Sequence, residues 1–496
     1  MTYIKSFHSA PHSLVQSAIA AQLRSSSPAT ASIGIAEGNQ NLQHATEILD
    51  RLPHPRLYRS REKALTAASA SPLSATNPLS PTCIQLMLEY AWAALRGNQQ
   101  SMTDVTNEFE KSGCDGTGWL KAAFDYLTAH NWFHNATIPY VASGNTLQLP
   151  EQTSFRIGIL GDWGTGEPVA QLVLESLMEQ KPDLILHVGD VYYAGTRDEM
   201  QVNFLNFIKT ARAKTGHSAP VFNLDGNHDM YTGGEPFYDA LSQVNQGASF
   251  PNSPAAPVPT QSASFFTLSN SWLQLQAMDT GYYDSDLWDI GNDTTMLHPA
   301  EAAWHVSAIE DAARNSRAVI LFSHHQGWSR FLGIGEGHGA AGGSGNTAQM
   351  GKLGYNVNLQ SELKQVPVGP VKAWFWGHEH VLEVYDQPSI AASTVTTPGN
   401  QSVSLSSLFP WVPFGACIGY SAFPMLETDA PYDVAVSSIQ SNGNLQVGMT
   451  GNPPGYNHGF TVLDIAQGGS ATATYFSIAG DGSSPSSTII GSSQIS

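Results

Sequence analysis

Between residues 156 and 376 the apolar positions fall into short continuous runs, and each run ends abruptly at a small or polar residue. Such runs, when Gly and Asp bound them, are typical of strands covered on both faces of a sheet. Five strands are predicted, at Arg156–Leu160, Leu184–Val188, Val221–Leu224, Ala318–Phe322 and Val371–Trp376. Helical patterns lie between them, at Glu167–Gln180, Arg197–Lys214 and Pro299–Asn315. This alternation predicts βαβ units, and Ser264–Leu268 with Trp272–Ala277 predicts an added antiparallel pair.

Residues of the kinds that bind metals follow these predicted strands directly. The five blocks are Gly161-Asp162-Trp163-Gly164, Gly189-Asp190-Val191-Tyr192-Tyr193, Gly226-Asn227-His228-Asp229, His324-His325 and Gly377-His378-Glu379-His380. Each block alone could be a turn or surface polarity. However, the carboxyl ends of strands in an α/β sheet open on one cleft, so we expect the blocks to meet there. Oxygen and imidazole ligands without a thiolate suit two hard or borderline metal ions.

Taken together, the five blocks resemble those of the calcineurin-like metallophosphoesterase superfamily, and within it the purple acid phosphatase branch. The resemblance covers roughly residues 154 to 480, including a late segment, Tyr456–Leu463, similar to the family's closing strands. It implies an α/β fold, a four-layer α/β/β/α sandwich. It also implies that Asp162, Asp190, Tyr193 and His380 hold a first metal. A second metal would be held by Asp190, Asn227, His324 and His378, with the Asp190 carboxylate as a bridge.

One departure from the superfamily pattern concerns the first block, where Asp-x-His is usual and Gly164 stands in the third position. Tyr193, three residues after Asp190, stands where the purple acid phosphatases place a tyrosinate. A phenolate favours a trivalent ion, so the resemblance implies Fe(III) at the first site, with Zn, Mn or Fe(II) at the second. The alternative for Tyr193 is a packed aromatic residue beside Tyr192.

Three further residues are candidates for catalysis. The spacing from Leu321 favours His324 as the ligand and leaves His325 near the substrate, and the reverse assignment stays open. His228 is the candidate proton donor to the leaving alkoxide, or else a residue that holds Asn227 in place. Asp229 would orient the His228 ring or raise its pKa, although a structural role is favoured for it.

The function implied by the resemblance is hydrolysis of phosphate monoesters by a hydroxide that two metal ions activate, as in acid phosphatases. A phosphodiesterase that uses the same site is the alternative among enzymes. A catalytically silent binding or scaffold protein is the alternative from another class. The presence of all seven predicted ligands argues against a silent site.

The net charge and the lengths of the apolar runs limit the kinds of partner that the chain could bind. The net charge of −19 argues against nucleic acid and against an anionic membrane surface, since both require a basic face. No apolar run approaches the length of a membrane span, so a small phosphorylated substrate is the expected partner. The start lacks a convincing secretory segment, and three cysteines leave at least one unpaired within the chain. These observations favour a cytoplasmic location, with export without a recognisable signal as the alternative.

The predicted organisation has three parts. Residues 1–150 are expected to form a helical accessory region, with helices at Thr82–Arg96 and Trp119–His130 and Ser/Ala/Pro-rich linkers at 24–36 and 68–81. Its helices are a candidate oligomerisation element. Residues 151–480 are expected to form the catalytic domain, with an insertion at 387–452 near the site. Residues 481–496 are expected to be a flexible tail.

Overall fold

The computed structural model describes residues 6–7, 9–26, 32–52, 81–112, 114, 123–124, 126–128, 144–284, 295–329, 353–397, 401–425, 447–450, 455–479 and 486–495. For residues 25–26 and 32–39 the description covers the backbone alone. Two large sheets and their flanking helices make up most of these residues.

The first sheet has six strands. They are β2 (Ser154–Leu160), β3 (Leu184–His187), β4 (Val221–Asn223), β17 (His458–Ala466), β18 (Ala471–Ile478) and β19 (Thr488–Ile495). Their order is β19-β18-β17-β2-β3-β4. β2, β3 and β4 are parallel, as the βαβ pattern predicts, while β17 to β19 add antiparallel strands on the other side of β2.

The second sheet has seven strands. They are β1 (Asn145–Gln148), β5 (Phe266–Ser269), β6 (Leu273–Met278), β7 (Ala318–Ser323), β10 (Val371–Trp376), β11 (Leu382–Tyr385) and β14 (Gly415–Ile418). Their order is β1-β5-β6-β7-β10-β14-β11. The predicted antiparallel pair is confirmed, since β5 and β6 pair antiparallel before β6 continues into the parallel neighbours β7 and β10.

Within the described ranges, three short strand pairs lie outside the two sheets. They are β8 (Trp328–Ser329) with β9 (Gly354–Tyr355), β12 (Thr394–Thr396) with β13 (Ser402–Ser404), and β15 (Met449–Thr450) with β16 (Gly455–Tyr456). The helices are α1 (Ala10–Ser26), α2 (Ser32–Arg51), α3 (Pro81–Leu95), α4 (Gln99–Lys111), α5 (Pro168–Glu179), α6 (Arg197–Glu199), α7 (Asn206–Thr215), α8 (Asn227–Met230), α9 (Glu235–Leu241), α10 (Pro299–Arg314), α11 (Val357–Glu362), α12 (Gln387–Ala392) and α13 (Leu405–Leu408). A π-helical turn, Met200–Leu205, joins α6 to α7.

Side-chain alternation along β2 shows how the layers form. Ile157 and Ile159 point to the core between the two sheets, where apolar residues of both sheets are buried together. Leu160 points to the opposite face and packs with α5 and α7. Gly158 lies on that face as well, and an added Cβ would lie 2.8 Å from Leu177 of α5. With α10 against β6 and β7 on the far side, the result is the predicted four-layer α/β/β/α sandwich.

The N-terminal region is helical, as predicted, and α3 lies within one residue of the predicted Thr82–Arg96. Its apolar side chains, including Leu86 and Leu88, are buried in a core shared by α1, α2, α3 and α4. Cys83 and Cys114 form a disulfide within this region, and Cys417 is the unpaired cysteine. Of the predicted helix Trp119–His130, the described residues 123–124 and 126–128 are helical.

Three expectations from composition need correction. Residues 24–26 and 32–36 of the predicted first linker are helical, since Ala and Ser are tolerated in helices that pack. The predicted insertion 387–452 contributes β14 to the second sheet, between β10 and β11, because its apolar run Gly415–Ile418 is fully buried. Residues 488–495 of the predicted flexible tail form β19, which is held by backbone pairing with β18 in spite of its Ser/Gly content.

The second predicted linker, 68–81, lies outside the described residues up to Pro81, where α3 begins.

Across the described part of the chain, no helix combines the length and the apolar character that crossing a membrane requires.

Candidate metal centre

The polar blocks that follow β2, β3, β4, β7 and β10 meet at one place, as the sequence predicts. The backbone there is unusual, because six non-glycine residues of the described chain have a positive φ and four of them are predicted ligands. These four are Asp162 (φ 55°), Asp190 (φ 75°), His378 (φ 70°) and His380 (φ 37°). Non-glycine residues in this region are strained, and such residues cluster at functional sites. The strand ends therefore hold these side chains in a geometry that the backbone would not adopt by itself.

Asp162, Asp190, Tyr192 and His380 form the first cluster. The Tyr192 hydroxyl lies 2.8 Å from Oδ1 of Asp162, 2.9 Å from Oδ2 of Asp190 and 2.8 Å from Nε2 of His380. Both carboxylates are buried, and among the described residues neither forms an ion pair with a Lys or Arg. A buried carboxylate needs a compensating charge. Burial and the two carboxylates also raise the pKa of the Tyr192 hydroxyl well above its usual value.

The tyrosine in this cluster is Tyr192, and the prediction of Tyr193 is corrected accordingly. Both tyrosine rings are buried in the apolar core shared with the N-terminal helices, but it is the Tyr192 hydroxyl that contacts the first cluster. The Tyr193 backbone N–H donates to Glu199, and the Tyr193 carbonyl accepts from Nδ1 of His228. Two adjacent tyrosines follow Asp190, so the sequence contains the correct residue type, but the local backbone course decides which ring enters the site.

Gly164 explains the missing histidine of the first block. A Cβ at this position would lie 2.8 Å from Cα of Val191 and 2.9 Å from the carbonyl oxygen of Asp190. Gly164 also forms a β-bridge with Val191. No larger residue fits there, and the Tyr192 hydroxyl supplies an oxygen to the cluster from the neighbouring block.

Asn227, His324 and His378 form the second cluster, next to Asp190. Oδ1 of Asn227 lies 3.1 Å from both Nε2 of His324 and Nδ1 of His378. Nε2 of His324 lies 3.4 Å from Oδ1 of Asp190. Two hydrogen bonds set the orientation of these groups. Nδ1 of His324 donates to the carbonyl of Val188 (2.8 Å), and the Asn227 amide donates to the Tyr231 hydroxyl (2.7 Å). The lone pairs of Nε2 and Oδ1 are thereby directed into the cluster.

His325 lies beside this cluster but has other partners. Its ring centroid is 4.3 Å from that of His378, so it belongs to a group of three histidines that could together hold an ion. Its Nε2 lies 3.1 Å from Oδ2 of Asp284, and its Nδ1 lies 3.1 Å from the Thr280 hydroxyl. The contacts to Asp190 and Asn227 are made by His324, which favours His324 as the ligand of the two.

His228 and Asp229 adjoin the first cluster in different ways. Nε2 of His228 lies 3.9 Å from Oδ2 of Asp190, and its ring lies against that of Tyr192. The Asp229 carboxylate accepts three backbone N–H groups, from Asp190 (2.9 Å), Val191 (3.0 Å) and Gly226 (2.7 Å). Burial and the nearby Asp190 raise the pKa of Asp229 to about 7. Asp229 thus fixes the ligand loops, and Nδ1 of the His228 ring is held by the Tyr193 carbonyl.

Several residues at the site carry no sequence signal. Each of the following contacts a residue of the clusters or one directly beside them, yet none stands in a recognisable block: Tyr231, Thr280, Asp284, Glu199 and Phe423. Their roles follow from packing between elements far apart in the chain.

The donor set fits two metal ions that share Asp190. Asp162, Asp190 and His380 offer atoms within 4.8 Å of one another, and so do His324, His325 and His378. All the donors are oxygen or imidazole nitrogen, which suits hard or borderline ions. Two cations would also balance the buried carboxylates.

Two solved structures show a limited similarity to this chain. GAP50, described as the anchor in the inner membrane complex of Plasmodium, is 14% identical with a TM-score of 0.40, over 69% of this chain and 89% of that one. A dimetal phosphatase from Danio rerio is 11% identical with a TM-score of 0.35, over 68% of this chain and 98% of that one. At such values neither likeness assigns an activity to this chain. A comparison with curated proteins gives no significant match.

The family comparison is decisive for the central part of the chain. The model for the calcineurin-like phosphoesterase family matches residues 155–382, which contain every strand end that forms the two clusters. This part of the chain therefore belongs to the calcineurin-like metallophosphoesterase superfamily.

Proposed function

We propose that this chain is a phosphomonoesterase that hydrolyses small phosphate esters with two metal ions bound at the paired clusters. Membership of the superfamily supports metal-dependent phosphoester hydrolysis. The observation that carries the proposal is the position of Asp190. Oδ2 faces the Tyr192 hydroxyl of the first cluster, and Oδ1 faces Nε2 of His324 in the second. A carboxylate with one oxygen toward each cluster is suited to bridge two cations.

The proposed ligands differ from the sequence prediction at one residue. The first metal would be held by Asp162, Asp190, Tyr192 and His380, and the second by Asp190, Asn227, His324 and His378, which lie within contact of one another. A tyrosinate ligand favours Fe(III) at the first site, with Zn, Mn or Fe(II) at the second. When bound, such a metal pair neutralises the phosphate oxygens and makes a water molecule acidic enough to react near neutral pH.

The protein's own groups then have defined tasks. His228 is the proposed donor of a proton from Nε2 to the leaving alkoxide, because its Nδ1 is fixed by the Tyr193 carbonyl and its Nε2 faces the clusters. His325, held by Thr280 and Asp284, is proposed to contact the phosphate or its leaving group. Asp229 positions the loops of Asp190 and Asn227 and takes no part in proton transfer.

The test compares kcat/KM for an aryl phosphate monoester and for the matching diester, with metal-analysed protein. We expect two metals per chain and a monoester preference of at least about tenfold. Asp190→Asn should lose metal and activity together, since one bridging oxygen is replaced by a neutral amide. A diester preference would instead favour the phosphodiesterase. Undiminished turnover by Asp190→Asn would contradict the site assignment, and a wild-type chain that binds no metal would favour the binding or scaffold protein.

A further inference from the structure

The apolar core of the N-terminal helices does not end at the boundary of the catalytic domain. Buried residues of α1, α2, α3 and α4 share one continuous cluster with five residues of the catalytic domain. These are Tyr192, Tyr193, Ala194, Tyr231 and Phe423. Tyr192 supplies the hydroxyl of the first metal cluster, and Tyr231 accepts a hydrogen bond from Asn227 of the second. The helical region therefore packs against the segments that carry the proposed ligands.

Phe423 connects this shared core to two of the ligands. Its ring stacks on the His380 imidazole, with centroids 4.3 Å apart and planes inclined by 26°. Its centroid also lies 4.7 Å from that of the Tyr192 ring. Phe423 is itself buried, with 3% of its surface exposed. Because interiors are close-packed, the position of this ring fixes the positions of both ligand rings.

A hydrogen bond also connects the N-terminal region to the catalytic domain. The Tyr126 hydroxyl, in the N-terminal region, donates to Oδ2 of Asp198 at 2.6 Å. Asp198 lies in the first turn of α6, next to Glu199. The buried Glu199 carboxylate accepts backbone N–H groups from Tyr193, Ala194 and Thr196. Tyr126 is thus linked to the backbone that follows Tyr192 through Asp198 and the neighbouring Glu199 of α6.

A third contact is electrostatic. Arg24 lies in the last turn of α1, and its charge acts on Glu167, in the loop that follows the first ligand block. Burial raises the pKa of the Glu167 carboxyl, and Arg24 opposes that rise. The helical region therefore approaches the catalytic domain at several separate points around the Tyr192 loop.

We propose that the N-terminal helical region is a positioning element of the metal centre, acting through Phe423 and through the Tyr126–Asp198 contact to hold Tyr192 and His380 in place for the first metal. The proposal rests on the metal-dependent function above and assigns a role to the part of the chain outside the phosphoesterase family match. It also predicts a larger effect on the first metal site, because Phe423 contacts both Tyr192 and His380. The shared core reaches the second site through the hydrogen bond from Asn227 to Tyr231, while His324 is held by the Val188 carbonyl within the catalytic domain.

The test measures metal binding by the full chain, freed of metal and titrated with Zn²⁺ or Mn²⁺ against a competing chelator. Phe423→Ala should weaken one of the two sites by about tenfold or more, the usual effect of removing a group that orients a ligand. Phe423→Leu, which retains much of the apolar volume, should weaken it less. Tyr126→Phe should weaken the same site by roughly threefold, as expected for one lost hydrogen bond.

The matched control is Tyr90→Phe. Tyr90 is buried in the same helical core, where it contacts Phe124, and its hydroxyl has no described hydrogen bond to the catalytic domain. Tyr90→Phe should bind both metals like the wild type. The proposal is overturned if the Phe423 variants bind both metals with wild-type constants, or if Tyr90→Phe and Tyr126→Phe weaken binding equally. It is also overturned if both sites weaken in parallel with loss of folding.

A failure of the positioning role can be distinguished from a failure of the proposed phosphatase function. If the wild type binds two metals but hydrolyses no phosphate ester, the proposed function fails while the positioning role can still be read from the binding constants. If the wild type is an active phosphatase and the Phe423 variants leave its metal affinities unchanged, only the positioning role fails.

Discussion

The hydroxyl of Tyr192 lies 2.8 Å from Nε2 of His380, although 188 positions separate the two residues in the chain. Both rings also contact the ring of Phe423. One side chain outside the polar blocks therefore touches two of the residues proposed to hold the first metal. The identity of the tyrosine ligand is the most direct point at which this arrangement can be tested.

We expect Tyr192→Phe and Tyr193→Phe to behave differently. If the first metal is Fe(III), Tyr192→Phe should remove a visible tyrosinate-to-iron absorption band, since the Tyr192 hydroxyl faces both carboxylates. Tyr193→Phe should keep the band, because the contacts with Asp162 and Asp190 are made by the Tyr192 hydroxyl. Absorption spectra of iron-loaded protein, with iron content measured in parallel, decide the point. A band lost in Tyr193→Phe and retained in Tyr192→Phe would restore the sequence prediction.

The strand ends were predictable because the physical signal is local. A buried strand requires a continuous apolar run, and the turn that follows requires Gly, Asp or Asn, so the blocks at Asp162, Asp190 and Asn227 can be read directly. Val371–Trp376 has the predicted bounds, and β7 differs from its prediction by a single residue.

The rest of the site depends on non-local packing. The choice between Tyr192 and Tyr193 is made by backbone contacts with Glu199 and His228, which the spacing of residues does not encode. The C-terminal strand β19 was missed for a related reason. Most of its side chains are exposed or partly exposed, and it is held by main-chain pairing that any sequence can make. Apolar composition indicates which segments are buried. It is therefore a poor guide to an edge strand such as β19, whose side chains are largely exposed.

The two adjacent histidines provide a second prediction. His324→Ala should lose the metal of the second cluster, since Nε2 of His324 faces both Asn227 and Asp190. Its kcat/KM should fall roughly a thousandfold, which corresponds to about 4 kcal/mol of lost transition-state stabilisation. His325→Ala should retain two metals and lose activity alone, because Thr280 and Asp284 hold its ring. Metal analysis and kinetics on the pair provide the measurement. Loss of metal in His325→Ala with two metals kept in His324→Ala would reverse the assignment.

The leaving group provides the test for His228. If Nε2 of His228 protonates the leaving alkoxide, His228→Ala should slow the hydrolysis of an alkyl phosphate by about 10²–10⁴-fold. An aryl phosphate with a highly acidic phenol needs little protonation and should be affected much less. The comparison requires kcat/KM for both esters and confirmation that the variant still binds two metals. Equal losses for the two esters would assign His228 to holding the site's structure, through its bond to the Tyr193 carbonyl.

The N-terminal helices should be sensitive to acid because of His12. Burial lowers the pKa of His12 to about 4, and the hydrogen bond from its ring to the Leu52 carbonyl opposes this only in part. In the unfolded chain its pKa is near the usual 6.5, so at intermediate pH the unfolded state binds the proton more strongly. The stability that neutral His12 contributes is therefore present above pH 6.5 and is lost as the pH falls toward 4.

Denaturant unfolding at pH 7 and pH 4.5 measures this effect. Two pKa values about 2.5 units apart correspond to a loss of about 2 kcal/mol between these two pH values. His12→Gln removes the titrating group, so it should lose about 2 kcal/mol less than the wild type over the same interval. His44→Gln, a change on α2 of a partly exposed histidine, is the matched control and should follow the wild type. If the wild type and His12→Gln lose the same stability on acidification, His12 is not the group that makes the helical region acid-sensitive.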